Sequence, residues 1–175
     1  IFYKYWLKFK QKIKVCFIGL NNHSKIIRNI VLKSGIISEW FIYLHRKDTK
    51  EKKNITNNLK DILDTDAIFI LSPDHLHISF LEYIKNSDYK GHVFCEKPPV
   101  INKKNINFLK KLDYKKFFFN FNERFGRIFS NLQEIKNKKV IGDILNVYTE
   151  TGHGLAFKSK FKYSSIFHYL PWYYY

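Results

Sequence analysis

Short apolar runs alternate with longer amphipathic segments along most of this chain, and this alternation constrains the fold more than any other feature. Residues 13–20, IKVCFIGL, form a continuous apolar run that is typical of a strand buried on both faces. Residues 24–35 follow with apolar side chains at helical spacing and end at a glycine. The two patterns recur, with predicted strands at 39–45, 66–72, 92–96 and 115–122 and predicted helices at 54–65, 77–87 and 102–112. Because parallel strands need a crossover connection, the sequence predicts an α/β fold with a doubly wound parallel sheet.

The pattern changes after residue 122. Residues 124–138 have apolar side chains at helical spacing, and residues 143–151 alternate like a strand with one solvated face. Only about 50 residues remain, which is too few to bury an independent core comfortably. The sequence therefore predicts an N-terminal extension at 1–12, the doubly wound domain at 13–122 and the truncated start of an α+β domain at 123–175.

The chain is strongly basic, which raises nucleic acid as a partner. It carries 31 Lys and Arg against 15 Asp and Glu, a formal net charge of +16. The lysines are scattered, without an Arg-rich arm, zinc-finger spacing or a reading helix. We therefore predict solvated basic faces and no nucleic-acid partner.

Hydropathy and cysteine usage indicate the compartment. No apolar run approaches the roughly 20 residues that cross a bilayer, so no membrane partner is predicted. Cys16 and Cys95 lie in apolar runs, where a free thiol behaves as a small hydrophobe. Free thiols without a disulfide framework favour a reducing compartment, and we expect a cytoplasmic protein.

The segments that leave the predicted strands at their carboxyl ends, here called the strand exits, are all polar or glycine-rich. They are residues 19–24, 44–47, 72–77, 95–99 and 121–124. Ligands of open parallel sheets bind at this edge, so the convergence of polar exits predicts a ligand pocket there.

The first exit, GLNNHS, occupies the place of a dinucleotide fingerprint. In the usual G-x-G-x-x-G pattern, the backbone approaches a pyrophosphate at a helix N-terminus. Here Gly19 is present, while Asn21 and Ser24 replace the second and third glycines. Asn tolerates left-handed backbone and Ser can cap a helix, so these residues, with Asn22 and His23, are candidates for cofactor binding by a Rossmann-like domain. A tight turn with a capped helix is the alternative.

The second exit carries cations where an NAD-binding fold places an acidic residue on the ribose. Arg46 and Lys47 would instead contact a 2′-phosphate, which favours NADP over NAD as the cofactor. A solvated basic turn is the alternative interpretation.

An alternative interpretation of Asp74, His75 and His77 is a metal cluster. These residues straddle a loop and a helix start, and no third ligand is spaced convincingly. No metal site is therefore predicted.

Four segments, VCFIGL, DAIFILSPDHLH, GHVFCEKPP and FNERF, resemble in order and spacing the glucose-fructose oxidoreductase, inositol dehydrogenase and rhizopine-catabolism family (Gfo/Idh/MocA). The likeness covers residues 13–150, and its specific part is the pairing of S-P-x-x-x-H with E-K-P about 20 residues later. The resemblance implies a Rossmann NAD(P)-binding domain, an α+β second domain with an open sheet, and an oxidoreductase acting on a sugar or nucleotide-sugar.

The resemblance also implies roles for single residues. Lys97 of E-K-P would be catalytic and contact the substrate hydroxyl, where an ammonium stabilises a developing alkoxide. The proline after this lysine is often cis in the family. His77 is a second catalytic candidate. Further cofactor-binding candidates are Ser72, Pro73, His75, Glu96, Lys97 and Asn122.

One expected part of the family pattern is missing from this chain. Members usually complete the site with a second-domain histidine in an Asp-x-x-x-His arrangement, whereas Ser164 precedes His168 here. The chain thus resembles a truncated member, whose exposed second-domain sheet would favour a homo-oligomer. Two hypotheses follow: an NAD(P)-dependent oxidoreductase, or a non-catalytic dinucleotide-binding or interaction module without a complete substrate domain.

Overall fold

The computed structural model describes residues 13–45, 54–121, 126–146 and 148. Its strands are β1 (Ile13–Ile18), β2 (Ile37–Tyr43), β3 (Ile55–Thr56), β4 (Ala67–Ile70), β5 (His92–Cys95) and β6 (Phe117–Phe119). They form one parallel sheet in the order β3-β2-β1-β4-β5-β6. Because the order reverses between β1 and β4, as in a Rossmann fold, the predicted doubly wound parallel sheet is confirmed.

Helices connect these strands. They are α1 (Asn22–Leu32), α2 (Asp74–Lys85), α3 (Ile106–Leu109) and α4 (Arg127–Asn137), with 3-10 turns at Leu59–Leu63 and Lys103–Asn105. Within the described ranges, no helix is long and apolar enough to cross a membrane.

The central strand β1 pairs with β2 and β4, and its residues 15–18 are buried because helices cover both faces of the sheet. Its side chains alternate between the two faces of the sheet. Cys16 and Ile18 pack in the larger core with residues of α2, whereas Val15 and Phe17 pack with residues of α1. Both cysteines are buried free thiols. The continuous apolar run therefore fills two cores rather than one.

The amino end of the sheet contains a close approach of backbone segments. A Cβ atom on Gly91 would collide with the carbonyl oxygen of Asp66, just before β4. The same carbonyl accepts a hydrogen bond from the backbone N of His92 at 2.9 Å. Glycine is required at this position because any side chain would separate the starts of β4 and β5.

The prediction of one helix over residues 54–65 is wrong. The structure has the short edge strand β3, followed by the 3-10 turn at Leu59–Leu63. Polar side chains form local hydrogen bonds in this segment. Asn58 Oδ1 accepts from Lys60 N at 3.2 Å, and the Thr56 hydroxyl donates to the Asp61 carboxylate. Such local bonds compete with an α-helix, and β-branched Ile55 pairs with β2 instead.

Two other predicted elements also differ. The helix expected over 102–112 is a 3-10 turn that leads into the single turn α3. The strand expected over 143–151 is not found in its described part, since residues 143–146 and 148 have no strand pairing.

The chain divides into two compact units, Ile1–Asn120 and Phe121–Tyr175. In the described part of the second unit, α4 begins after Gly126 and ends at Asn137. Its apolar side chains include Ile128 and Leu132, both exposed. The predicted N-terminal extension at 1–12 lies outside the described residues.

Candidate functional site

The exit of β1 lies directly against the exit of β4. Gly19 has a φ of +115°, and a Cβ atom there would lie 2.7 Å from the Leu71 carbonyl oxygen and 3.0 Å from Ser72 N. Both the backbone conformation and the space exclude a side chain. The first glycine of the predicted fingerprint therefore permits a contact between two neighbouring exits.

Asn21, rather than Ser24, caps α1. Asn21 Oδ1 accepts from Ser24 N at 2.7 Å, and Asn21 Nδ2 donates to the Leu71 carbonyl at 3.0 Å. Asn21 has φ −72°, so the expectation of left-handed backbone is wrong. The expectation that Ser24 caps the helix is also wrong, because its buried hydroxyl lies inside the first turn and donates to the Asn21 carbonyl at 2.7 Å. The asparagine satisfies the helix start and bonds it to β4.

Asn22 and His23 form the exposed first turn of α1. The first backbone N–H groups of a helix lack intrahelical acceptors, so this turn presents donors to solvent. His23 also reaches the fifth strand, since its Nε2 lies 3.1 Å from Glu96 Oε1. The candidate phosphate loop is thus joined to the E-K-P segment.

The exit of β4 supplies a buried hydroxyl. Ser72 is 8% exposed, and its Oγ has no hydrogen-bond partner among the described residues. Pro73 precedes the first turn of α2, while His75 is exposed within that turn. A buried hydroxyl without a partner costs free energy, so it is a candidate to bond a bound molecule.

His77 lies beneath the exits rather than facing solvent. It is 1% exposed, and its Nε2 lies 2.8 Å from the Ser72 carbonyl oxygen. Its Nδ1 lies 2.8 Å from the Pro98 carbonyl oxygen. Both ring nitrogens therefore contact backbone, and neither faces the open edge of the sheet.

Glu96 and Lys97 follow β5 at the same carboxyl end of the sheet. Glu96 is buried, and its Oε2 accepts from Lys97 N at 3.2 Å. Lys97 is half-buried, and burial lowers its pKa below the ordinary value, although the negative charge of Glu96 acts in the opposite direction. The bond before Pro98 is cis, as the resemblance implied.

Asn120 is a site residue that the sequence analysis missed. Its Nδ2 donates to Glu96 Oε1, the oxygen that also faces His23. The prediction selected Asn122, two residues later in the run FFFNFN. Because β6 ends at Phe119, Asn120 is the first polar residue of that exit, and a correct strand end would have identified it.

Two predicted site residues, Arg46 and Asn122, lie outside the described residues, as does Lys47. No group of three His, Cys, Asp or Glu side chains that could hold a metal ion occurs in the part of the chain that the structure describes. Asp74 and His75 approach each other at 3.8 Å. A shallow cavity of about 590 Å³ lies elsewhere, lined by Asp66, Gly91 and His92 at the amino ends of β4 and β5.

Comparison with known proteins gives structural matches. No family model and no curated protein matches the sequence. Apo scyllo-inositol dehydrogenase from Lactobacillus casei matches with a TM-score of 0.60 and 25% identity, over 77% of this chain and 44% of that one. The WlbA dehydrogenase from Bordetella pertussis, in complex with NADH and UDP-GlcNAcA, matches with a TM-score of 0.57 and 18% identity, over 77% and 45%. GenD2 from gentamicin A biosynthesis, in complex with NAD, matches with a TM-score of 0.59 and 12% identity, over 74% and 40%.

These structures are dehydrogenases of the Gfo/Idh/MocA type, and the resemblance predicted from the motifs is confirmed. The fold of the described sheet and its helices matches the N-terminal domain of such dehydrogenases. The chain spans less than half the length of the structures that it matches.

Proposed function

We propose that this chain binds NADP or NAD at the carboxyl ends of β1, β4 and β5, as part of an oxidoreductase acting on a sugar or nucleotide-sugar. The observation that carries the proposal is the close approach of Gly19 to the β4 exit beside the N-terminus of α1. This contact holds the loop after β1 against the β4 exit, and a dinucleotide pyrophosphate would bind the free N–H groups at the adjacent start of α1.

The surrounding residues supply matching polar groups. The backbone of Asn22 and His23 would hold the pyrophosphate, and the Ser72 hydroxyl would gain a partner. Pro73, His75 and Glu96 would line the nicotinamide side. Arg46 would favour a 2′-phosphate, and its contribution decides between NADP and NAD.

The proposed reaction assigns one chemical task to Lys97. Bound nicotinamide would accept or supply the hydride, and the substrate oxygen would exchange its proton. When substrate is oxidised, the neutral amine at Lys97 Nζ would accept the hydroxyl proton, and the ammonium so formed would return that proton to the oxygen in the reverse reaction. Burial lowers the pKa of Lys97, so this group releases its proton more readily than an exposed lysine does. The scyllo-inositol dehydrogenase match and the UDP-GlcNAcA in the WlbA complex support a sugar-like substrate.

Dinucleotide binding is tested by two glycine variants. Gly19→Ala should weaken NADPH and NADH binding by about tenfold or more, because the new Cβ collides with the β4 exit. Gly35→Ala is the matched control, since Gly35 also has a positive φ, +75°, but nothing lies within 4 Å of an added Cβ. Calorimetric titration of both variants and the parent chain measures the difference. Parent chain that binds neither dinucleotide, or equal affinities in both variants, would contradict the proposal.

The second candidate function is a dinucleotide-binding module without turnover. It is favoured by the groups that the described exits of β1 and β4 supply, since the N–H donors of α1 and the Ser72 hydroxyl suit a dinucleotide. Nicotinamide absorbance across a panel of sugars and nucleotide-sugars separates the two functions. Turnover that is lost in Lys97→Ala supports the enzyme, whereas binding without turnover supports the module.

A further inference from the structure

The side chain of His77 joins the two sequence motifs that define the candidate site. It rises from the first turn of α2 and contacts the Ser72 carbonyl oxygen on one side and the Pro98 carbonyl oxygen on the other. These carbonyls belong to the exits of β4 and β5, which are adjacent strands. We infer that His77 is a positioning residue that fixes the E-K-P segment, and with it Lys97, against the β4 exit, and that it transfers no proton to or from substrate.

Burial excludes the catalytic role that the sequence suggested for this histidine. The side chain is 1% exposed, and each ring nitrogen lies 2.8 Å from a backbone oxygen that can only accept. A group that exchanges protons with substrate must reach it directly or through one water. A neutral imidazole has one N–H donor and an imidazolium has two, so the ring donates to at least one of the two carbonyls. The rigid ring also fills the space between the two exits and thereby fixes their separation.

The backbone of Lys97 lies between two fixed points. On its amino side, its N donates to the buried carboxylate of Glu96 at 3.2 Å. On its other side, the carbonyl of the next residue, Pro98, contacts His77. Releasing the Pro98 carbonyl removes one of these points. The pairing of S-P-x-x-x-H with E-K-P then has a physical reason, since the histidine of the first motif holds the second.

The pKa of Lys97 indicates whether His77 fixes the E-K-P segment. It is half-buried, and burial lowers its pKa. If His77 fixes the segment, losing its contacts exposes Lys97 to water and raises the pKa toward that of exposed lysines. The relevance of His77 to catalysis rests on the proposed function. The pKa of Lys97 can be measured without dinucleotide or substrate, so the positioning role of His77 and the proposed function can be refuted separately.

The test titrates Lys97 in the full chain by NMR of ¹³C-methylated lysines, with its signal assigned by loss in Lys97→Arg. His77→Phe keeps an aromatic ring but removes both polar contacts, and should move the Lys97 midpoint upward. His77→Asn, whose shorter side chain cannot span both carbonyls, should also move the Lys97 midpoint upward. This variant replaces His77→Phe in the test if the Phe variant does not fold. His77→Gln, with a longer amide that keeps a donor, should restore part of the parent midpoint.

Ile84→Ala is the control for general destabilisation. Ile84 is equally buried two turns further along α2, and its loss creates a cavity away from both exits. This variant should leave the Lys97 midpoint at the parent value. An unchanged midpoint in a folded His77→Phe or His77→Asn variant would overturn the inference, as would an equal shift in Ile84→Ala.

Discussion

At the scale of single residues, the site depends on the buried carboxylate of Glu96. A buried charge is costly unless it is paired and hydrogen-bonded. Among the described residues, Glu96 contacts His23 after β1, the Lys97 backbone after β5, and Asn120 after β6. One side chain thus links exits across the width of the sheet.

The partners of Glu96 should differ in their effect on stability. Asn120→Ala should lower the free energy of unfolding by about 1.5–3 kcal/mol, because a part-buried hydrogen bond to a charged group is lost. His23→Ala should lower it by less than about 1 kcal/mol, since this side chain is more than half exposed. Urea unfolding of both variants, repeated with Glu96→Gln, gives the coupling energies. A larger loss for His23→Ala than for Asn120→Ala would refute this ranking.

At the scale of elements, α1 is positioned by its first residue outside the helix. Asn21 both caps the helix and donates to the Leu71 carbonyl after β4. The two contacts involve different atoms of one amide, so they can be separated by substitution.

Asn21→Ala should destabilise the fold by about 1–2 kcal/mol, because the cap and the link to β4 are both lost. Asn21→Ser retains an oxygen that can cap the helix but loses the donor to Leu71, so we expect a smaller loss. Thermal and urea unfolding of the two variants measure the difference. Equal losses would show that the link to β4, rather than the cap, dominates.

Periodicity predicted most elements near the centre of the sheet. β1 is buried on both faces from Val15 onward, and β4 and β5 are buried on one face and partly buried on the other, so their apolar runs dominate any local preference. The prediction failed at residues 54–65 because Asn58, Thr56 and Asp61 form local side-chain bonds that no hydrophobic pattern reveals. It placed the end of the last strand at residue 122 rather than at Phe119 because a pattern fixes strand ends less well than strand centres.

The sequence predicted that the polar exits converge, but it did not predict which residues contact each other there. Sequence spacing gives no information on which atoms meet, so the burial of His77 and the partners of Glu96 required coordinates. The resemblance indicated which residues to expect at the site, and the geometry shows which atoms each of them contacts.

At the scale of the whole molecule, the core contains groups that resist ionisation. Burial raises the pKa of the Cys16 and Cys95 thiols above the ordinary value of 9.0. Burial raises the pKa of Tyr89 to about 12. Each group keeps its proton in the folded chain at a pH where the unfolded chain loses it.

Stability should therefore fall as pH rises above 9.0. The folded state binds more protons than the unfolded state in this window, so the slope of each thiol's contribution approaches about −1.4 kcal/mol per pH unit as the unfolded thiol becomes fully ionised. Lys97 has a lowered pKa and acts in the opposite direction, but it is a single half-exposed group. Urea unfolding between about pH 8 and about pH 10 measures the slope. Cys95→Ala should reduce it by about half, and a parent slope of zero would contradict the prediction.

Two glycine contacts, one at the carboxyl end and one at the amino end of the parallel sheet, lie at the two ends of the same strand. Gly19 abuts the backbone just after β4, and Gly91 abuts the backbone just before it. β4 also lies between β1 and β5, so it is enclosed at both ends and on both sides. Such a strand has no end from which to fray, and its amide protons exchange with solvent only when the whole sheet opens. β4 should therefore exchange on the slow time scale of global unfolding, whereas the edge strands β3 and β6 exchange earlier by local opening.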